Sequence, residues 1–241
     1  IKFFKIKKNQ TYLFLYVFSN LPNLKFCKTN NMKDLTLIIP AKNESESLPA
    51  VLNELDKYNF KIKVVLSSDD EKTINAIKNF NIEIIYQNKK GYGDALITGI
   101  KSLSDGFFCI FNADGSFNPD EIPKMYEKIK LENSSFIFAS RYEKNSGSED
   151  DTYLTWIGNK IFTLFGRFMF GLNITDILYT FVIGNVDQFK MLNVNSLDFA
   201  FCVEFPILAK KNQMKLSTCP SYERRRIAGK KKVNEFKDGF L

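Results

Sequence analysis

Two short segments combine residue types that suit the binding of a charged phosphate compound. The segment from Gly91 to Leu96, G-Y-G-D-A-L, predicts a flexible turn that leads into a helix. Unpaired backbone N–H groups at such a helix start bind phosphate oxygens. In the segment from Phe111 to Ser116, F-N-A-D-G-S, an amide and a carboxylate follow an apolar run, so both lie on one side of a predicted strand end. Together the two segments predict a metal-assisted site for a nucleotide sugar.

The composition restricts the chemistry of this site. The 241 residues include no histidine, which excludes His-ligated zinc and His-based nucleophilic triads. A metal must then bind oxygen ligands, which favours Mg²⁺ or Mn²⁺. The four cysteines are scattered without a C-x-x-C pair. This pattern is typical of packing thiols in a reducing compartment, so we expect a cytoplasmic protein.

The net charge of +7 is concentrated in two segments. Residues 1–31 contain six lysines and no acidic residue, and the remainder of the chain is close to neutral. Within that remainder, the run from Glu223 to Lys232 holds six cations in ten residues. We interpret this run either as a solvated tail or as an anion-binding segment.

The composition also changes at Met32. The apolar run at 12–18 is too short to span a bilayer. We therefore expect residues 1–31 to be a basic arm that is extraneous, disordered or interfacial and is dispensable for folding. Residues 32–241 are expected to form one domain.

From Met32 onward, short apolar runs alternate with helical patterns, which is typical of a parallel α/β sheet. Ligands of such sheets bind at the carboxyl ends of the strands. These ends hold polar residues at 43–44, 67–70 and 112–116, so we predict that the three groups form one site. Strands are predicted at 35–39, 62–66, 82–86, 107–111 and 136–139, and helices at 46–57, 71–79, 94–104 and 119–131, the first capped by Asn43 and the last by Asn118.

The pattern changes after residue 140. A polar loop at 141–151 precedes a predicted aromatic helix at 153–170. We expect its apolar stripe to be buried, either in the fold or in a homodimer interface, with shallow membrane insertion as the alternative. Asn159, Lys160 and Arg167 exclude a membrane-spanning role. The stripe has helical spacing and consists of Ile157, Ile161, Leu164, Phe165 and Phe168.

Several segments together resemble the inverting glycosyltransferases of family 2, which have the GT-A fold. The resemblance covers about residues 35–239 and is strong in sum. The matching segments are 37–44 for the opening strand and P-A-x-N-E turn, 91–96 for G-x-G-x-A-L, 112–114 at the D-x-D position, 140–142 for S-R-[FY], 175–177 for the acceptor-side Asp turn, and 226–232 for the R-x-x-G-x-S-K close of the polyprenyl-phosphate sugar synthases.

The resemblance implies a mostly parallel central sheet and the transfer of a sugar from a nucleotide-sugar donor to a polyprenyl phosphate or a glycan. It implies a Mg²⁺ or Mn²⁺ ion at Asp114 and Ser116, and catalytic roles for Asp176, Arg141 and Arg226. Donor binding is implied for Pro40, Ala41, Asn43, Glu44, Asp69, Asp70, Gly91, Gly93, Asn112, Ala113 and Asp114.

Two departures from the family pattern refine these expectations. Asn112 stands where the family carries its first metal-site aspartate, so we expect weaker metal binding. Lys231 replaces the serine of the closing motif and adds charge where an acceptor phosphate would lie.

Two chemical classes of acceptor are compatible with the sequence, an anionic lipid and a hydroxyl compound. An anionic lipid needs cations for positioning, supplied by Arg141, Arg225, Arg226 or Lys231, and it implies peripheral contact with the inner face of the cell membrane. A hydroxyl acceptor needs a carboxylate base, for which Asp176 comes first and Asp151 second.

Two other functions are alternatives. A nucleotidyltransferase-like enzyme would use a glycine-rich loop near its N-terminus, and the first glycine of this chain is Gly91. A nucleic-acid- or partner-binding module would use the C-terminal basic run. We disfavour this module and expect no nucleic-acid partner, because the rest of the domain has no excess of positive charge.

Overall fold

The computed structural model describes residues 32–228, so the expectations for residues 1–31 and for Lys231 lie outside the described residues. The first half of the fold comprises β1 Leu35–Pro40, α1 Leu48–Asp56, β2 Lys61–Leu66, α2 Glu71–Ile77, β3 Glu83–Tyr86, α3 Tyr92–Lys101 and β4 Phe107–Ile110. The second half comprises a 3₁₀ turn Pro119–Glu121, α4 Ile122–Glu132, β5 Phe136–Ser140, β6 Gly147–Ser148, α5 Tyr153–Phe170, β7 Val182–Asn185, α6 Val186–Met191, α7 Phe201–Lys211, β8 Leu216–Pro220 and β9 Tyr222–Glu223.

Seven strands form one sheet in the order β3-β2-β1-β4-β7-β5-β8. β1 pairs in parallel with β2 and β4, whereas β7 runs antiparallel to β4 and β5. β6 and β9 form a separate two-stranded ribbon. The five predicted strands lie within one residue of their predicted ends, and the mostly parallel α/β fold is confirmed.

Apolar side chains cover both faces of this sheet. Leu52 of α1 and Met125 of α4 pack on one face, while Leu96 of α3 and Phe205 of α7 pack on the other. Burial on both faces explains why the strands are continuous apolar runs. Because β1, β2 and β4 run parallel to one another, they end at one common edge, where their polar loops meet.

The predicted cap of the first helix is wrong. α1 begins at Leu48, after Ser47, rather than after Asn43. Asn43 has a left-handed φ of 54°, and its N–H donates to Asp70 Oδ2 at 2.7 Å. An N-cap residue usually has an extended backbone, so the left-handed backbone of Asn43 is unsuited to the capping role. Asn118 does act as a cap, but for the 3₁₀ turn that precedes α4.

Helix α5 has the predicted bounds but the opposite orientation. Its buried residues are Asn159, Thr163 and Gly166. In contrast, Leu164 and Phe168 of the predicted apolar stripe are 68% and 86% exposed. The prediction that this stripe is buried in the fold is therefore wrong.

Hydrogen bonds and close packing account for the orientation of α5. Asn159 Nδ2 donates to Tyr142 Oη at 2.8 Å, and the Ile177 N–H donates to Thr163 Oγ1 at 3.2 Å. At Gly166, an added Cβ would lie 3.1 Å from the Ile177 side chain, so the glycine permits a close approach. The polar side of α5 thus faces the protein. Among residues 32–228, none of the helices combines the length and apolar character needed to cross a bilayer.

Candidate active site

The turns after β1 and β2 are joined directly at the sheet edge. Asp70 accepts the Asn43 N–H and also the Thr73 N–H at the start of α2. The Glu44 N–H donates to Thr73 Oγ1 at 3.0 Å. These contacts bring the predicted donor-binding residues of the two turns together, with Asp70 and Glu44 serving to hold the turns.

The neighbouring residues differ in their access to a ligand. Ala41 is buried and its N–H continues the pairing with β2 by donating to the Val65 carbonyl, and Pro40 ends β1. Asp69 is exposed. A hydrogen bond with the Ser67 side chain, aided by the charge of Lys90, lowers the pKa of Asp69. Asp69 is therefore an ionised and open group at this edge, suited to hydrogen bonding with a ligand hydroxyl or base.

The two glycines of the G-Y-G-D segment serve close backbone packing. Gly91 has a φ of +132°, and a Cβ at this position would lie 2.0 Å from the Leu197 carbonyl oxygen. A Cβ on Gly93 would lie 2.2 Å from the Ser196 carbonyl oxygen. At the helix start where backbone N–H groups were expected to bind phosphate, the Asp94 N–H donates to the Leu197 carbonyl at 3.0 Å. Residues 196–198 thus cover the start of α3, which counts against the phosphate contact predicted there.

The segment 224–227 lies along the loop that follows β4. The Arg224 N–H donates to the Ser116 carbonyl and the Ile227 N–H to the Asp114 carbonyl, both at 2.8 Å. A Cβ on Gly115 would lie 2.5 Å from the Ile227 side chain. Residues 224–227 therefore form part of the folded site, and the interpretation of this stretch as a solvated tail is wrong.

Arg226 lies between two carboxylates. Its Nε and Nη2 donate to Asp150 at 3.2 and 2.5 Å, and its Nη1 lies 3.8 Å from Asp114 Oδ2. The hydrogen bond to Asp150 and the charge of Asp114 raise the pKa of the Arg226 guanidinium. The loop after β4 and the C-terminal segment therefore place a carboxylate and a fixed cation next to each other.

The residues around Asp114 fit a divalent cation that arrives with a phosphate ligand. Within residues 32–228, no group of three or more His, Cys, Asp or Glu side chains could form a complete metal cage. However, the Ser116 Oγ is buried without a hydrogen-bond partner, two residues from the Asp114 carboxylate. Mg²⁺ in nucleotide sites usually binds one or two carboxylates together with substrate phosphates and water. This donor set is of that kind, with Asn112 half-buried and Ala113 buried beside it.

Arg141 and Asp176 form a buried ion pair. Arg141 Nε and Nη2 donate to the two oxygens of Asp176 at 2.7 and 3.0 Å, and Nη1 donates to Glu223 at 3.0 Å. Burial opposes the charge of Arg141, but the charge and hydrogen bonds of Asp176 outweigh it and raise the Arg141 pKa above its ordinary value. The Asp176 side chain is 0% exposed. This geometry counts against a base role for Asp176 and against an open phosphate contact for Arg141.

Asp151, the second candidate base, belongs to the same group. It accepts from Arg141 Nη1 at 3.2 Å and from Tyr142 Oη at 2.8 Å. A cavity of about 360 Å³ adjoins it at the start of α5 and is also lined by Thr152, Tyr153 and Trp156. The cavity therefore lies between the buried ion pairs and the aromatic end of α5.

Sequence reasoning missed Asp150 and Glu223. Glu223 is 82 residues from Arg141, and Asp150 is 76 residues from Arg226, so neither pair has a local spacing that identifies it. One signal was present for Asp150, because an acidic loop and a basic run in one domain favour each other electrostatically.

Comparison with known proteins identifies relatives along most of the chain. Residues 36–192 match Glycosyl transferase family 2. The UDP-N-acetylglucosamine–dolichyl-phosphate N-acetylglucosaminyltransferase of Methanococcus voltae is 26% identical over 212 residues, which cover 78% of this chain and 84% of the relative. The undecaprenyl-phosphate mannosyltransferase of Micrococcus luteus is 26% identical over 182 residues, or 69% of this chain and 72% of the relative.

A solved structure shares the fold. Glucosyl-3-phosphoglycerate synthase of Mycobacterium tuberculosis, crystallised with Mn²⁺, UDP-glucose and phosphoglyceric acid, superposes with a TM-score of 0.64 at 12% identity, over 86% of this chain and 75% of that one. The family match covers more than half of the chain and includes the loops after β1, β2 and β4, so it displaces the nucleotidyltransferase and binding-module alternatives. The chain belongs to glycosyl transferase family 2 and is a nucleotide-sugar-dependent glycosyltransferase with the GT-A fold.

Proposed function

We propose that the protein transfers a sugar, with inversion at the anomeric carbon, from a nucleoside diphosphate sugar to a polyprenyl phosphate at a membrane surface. The observation that carries this proposal is that both candidate bases, Asp176 and Asp151, already accept hydrogen bonds within the protein. Both oxygens of Asp176 accept from Arg141, and Asp151 accepts from Arg141 and Tyr142. A hydroxyl acceptor must lose a proton to a base, whereas a phosphate is already ionised. The two relatives are named for transfer to dolichyl phosphate and undecaprenyl phosphate, which supports the same acceptor class.

The donor would lie along the strand ends. Asp69, which is exposed and ionised, is suited to the hydroxyls of the ribose or to the base. Asp114 and Ser116 would hold Mg²⁺ or Mn²⁺, which neutralises the charge of the leaving diphosphate. Asn112 would supply an amide where a second carboxylate would strengthen the site, so the donor phosphates would have to complete the set of negatively charged ligands.

Arg226 would act on the phosphates. Asp150 holds two of its nitrogens, and the third lies 3.8 Å from Asp114, so its charge is fixed beside the expected diphosphate position. An acceptor phosphate oxygen forms the new bond to the anomeric carbon while the bond from that carbon to the diphosphate oxygen breaks. No proton is transferred, and the fixed cation stabilises the anions on either side of the reaction.

The test is turnover of UDP-, GDP- and dTDP-sugars by the full chain with Mn²⁺, with a polyprenyl phosphate or a saccharide as acceptor. We expect product with the polyprenyl phosphate. Asp114→Ala should lower turnover roughly a thousandfold, because the metal contributes several kcal/mol to the transition state. Asp187→Ala, which removes an exposed carboxylate of α6, is the control and should retain activity. Product with the saccharide alone would contradict the proposal.

Asn112→Asp tests the metal ligands separately. The added carboxylate should tighten Mn²⁺ binding, measured by calorimetry with the donor diphosphate present. Unchanged Mn²⁺ affinity would mean that residue 112 does not contact the cation.

A further inference from the structure

The outer side of α5 is a continuous apolar surface, which we call the α5 apolar face. Six of its aliphatic, phenylalanine and methionine side chains are more than half exposed, namely Leu154, Ile161, Leu164, Phe165, Phe168 and Met169. At about 100° per residue, they span an arc of about 140°, and Tyr153 and Phe162 widen it to about 180°. The side chain of Phe168 is 86% exposed. A soluble protein rarely exposes an apolar surface of this extent without a partner.

The polar residues of α5 are distributed in a way that suits a bilayer surface. Lys160 and Arg167 lie along one edge of the apolar arc, and α5 contains no acidic residue. At that edge Trp156 stacks on Tyr153 with ring centroids 6.0 Å apart, and the Lys160 ammonium lies 5.9 Å from the Trp156 ring. Cations and aromatic rings at the boundary of an apolar face are typical of helices that lie in the membrane interface.

A second copy of the chain is a poorer occupant of this face. Two copies joined through α5 would bring together two helices that each carry two cations and no acid, which is electrostatically unfavourable, whereas an anionic lipid surface is complementary to them. In addition, one packing partner covers an apolar stripe of about 100°, which is narrower than the α5 apolar face.

We infer that the α5 apolar face inserts into the surface of an anionic lipid bilayer and lies parallel to it. Its N-terminal end follows Asp150, the residue that holds Arg226, and its Tyr153 and Trp156 line the cavity beside Asp151. Insertion therefore places the opening of this cavity at the level of the lipid phosphates. The inference rests on the proposed lipid acceptor for its purpose, but it is tested without donor or acceptor.

The experiment is sedimentation of the full chain with vesicles of phosphatidylcholine, with and without phosphatidylglycerol. Replacing two exposed side chains together, Leu164→Ser and Phe168→Ser, should lower the partition coefficient onto the anionic vesicles at least about tenfold, because each side chain contributes apolar burial. The matched control is Leu131→Ser on α4, which removes a leucine that is also 86% exposed and should leave partitioning unchanged. Wild-type binding should fall when phosphatidylglycerol is left out or salt is raised.

If the double variant fails to fold, a second variant that should bind vesicles more strongly still tests the inference. A Cβ on Gly158 would meet no atom within 4 Å, so Gly158→Leu adds an apolar side chain to the face and should raise partitioning. Equal partitioning of the wild type and the double variant would overturn the inference. So would a wild-type dimer that the double variant converts to a monomer without any vesicle binding. Vesicle binding with no glycosyl transfer would overturn the proposed reaction but would still support membrane insertion of the α5 apolar face.

Discussion

Helices α3 and α5 have similar apolar content but bury opposite sides. In α3, Leu96 and Ile100 are fully buried against the sheet. In α5, Asn159 and Thr163 are buried while Leu164 is exposed. The donor half of the fold is therefore an ordinary apolar core, whereas the interior beside α5 is polar and charged. The difference indicates that the buried contacts of α5 are largely polar, whereas most of its apolar side chains are exposed.

Removing the central carboxylate of the polar interior should have the largest effect on stability. Asp176→Asn leaves Arg141 buried without its main partner, so we expect a loss of roughly 3–5 kcal/mol in the free energy of unfolding, measured in urea. Asp56→Asn, at an exposed position at the end of α1, is the control and should change it by less than about 0.5 kcal/mol. Unchanged stability together with lost turnover on a saccharide would instead restore the base role of Asp176.

Matched leucine truncations test the comparison of the two helices directly. Leu96→Ala creates a cavity under α3 and should lower the free energy of unfolding by roughly 2–5 kcal/mol. Leu164→Ala removes a side chain that is 68% exposed and should change it by less than about 0.5 kcal/mol. Equal losses in thermal or urea unfolding would mean that α5 is covered in solution.

The charged group formed by Arg226, Asp150 and Asp114 is tested by a conservative replacement. Arg226→Lys keeps the charge but removes the planar fork that Asp150 holds. Loss of a charge-assisted hydrogen bond costs about 1.5–3 kcal/mol, which corresponds to a roughly 10- to 150-fold lower kcat. Arg225→Lys, at the exposed neighbouring position, should stay within about twofold. A loss confined to the polyprenyl phosphate acceptor would place Arg226 at the acceptor, and an equal loss with both acceptors would place it at the donor diphosphate. No loss with either acceptor would contradict a catalytic role.

Replacing one glycine in each helix, Gly99 in α3 and Gly158 in α5, should give the smallest of these effects on stability. A Cβ on Gly99 of α3 would lie 2.6 Å from Ile38 Cγ2, so Gly99→Ala should destabilise the fold by about 1–3 kcal/mol through overpacking. In α5 the same replacement, Gly158→Ala, meets open space and should stabilise it by about 0.5–1 kcal/mol through helix propensity. Melting temperatures that shift in the same direction would contradict the comparison.

The donor half could be predicted well from the sequence because its signals are local. Strands β1 and β4 are apolar runs bounded by polar turns, and their parallel pairing puts their carboxyl ends at the same edge of the sheet. The GT-A family motifs in these turns therefore indicated the fold and the position of the site. Even there, the predicted cap at Asn43 was wrong, because Asn43 has a left-handed backbone and α1 begins only at Leu48.

In the second half, periodicity predicted the extent of α5 but not its orientation. A repeat of 3.6 residues shows which side chains share a face, and the burial of that face depends on what packs against it. For α5 the decisive partners are Tyr142 and Ile177, which bond to Asn159 and Thr163.

The sequence by itself determined the element types, the strand-end position of the site and the family. Only the tertiary structure decided that Asp176 is paired with Arg141, that Arg226 lies beside Asp114, and that α5 faces outward. The physical reason is the range of the interactions. Backbone conformation and hydrophobic periodicity are local properties of a few residues, whereas ion pairs between residues 35 to 112 positions apart form only after the sheet has brought their loops together.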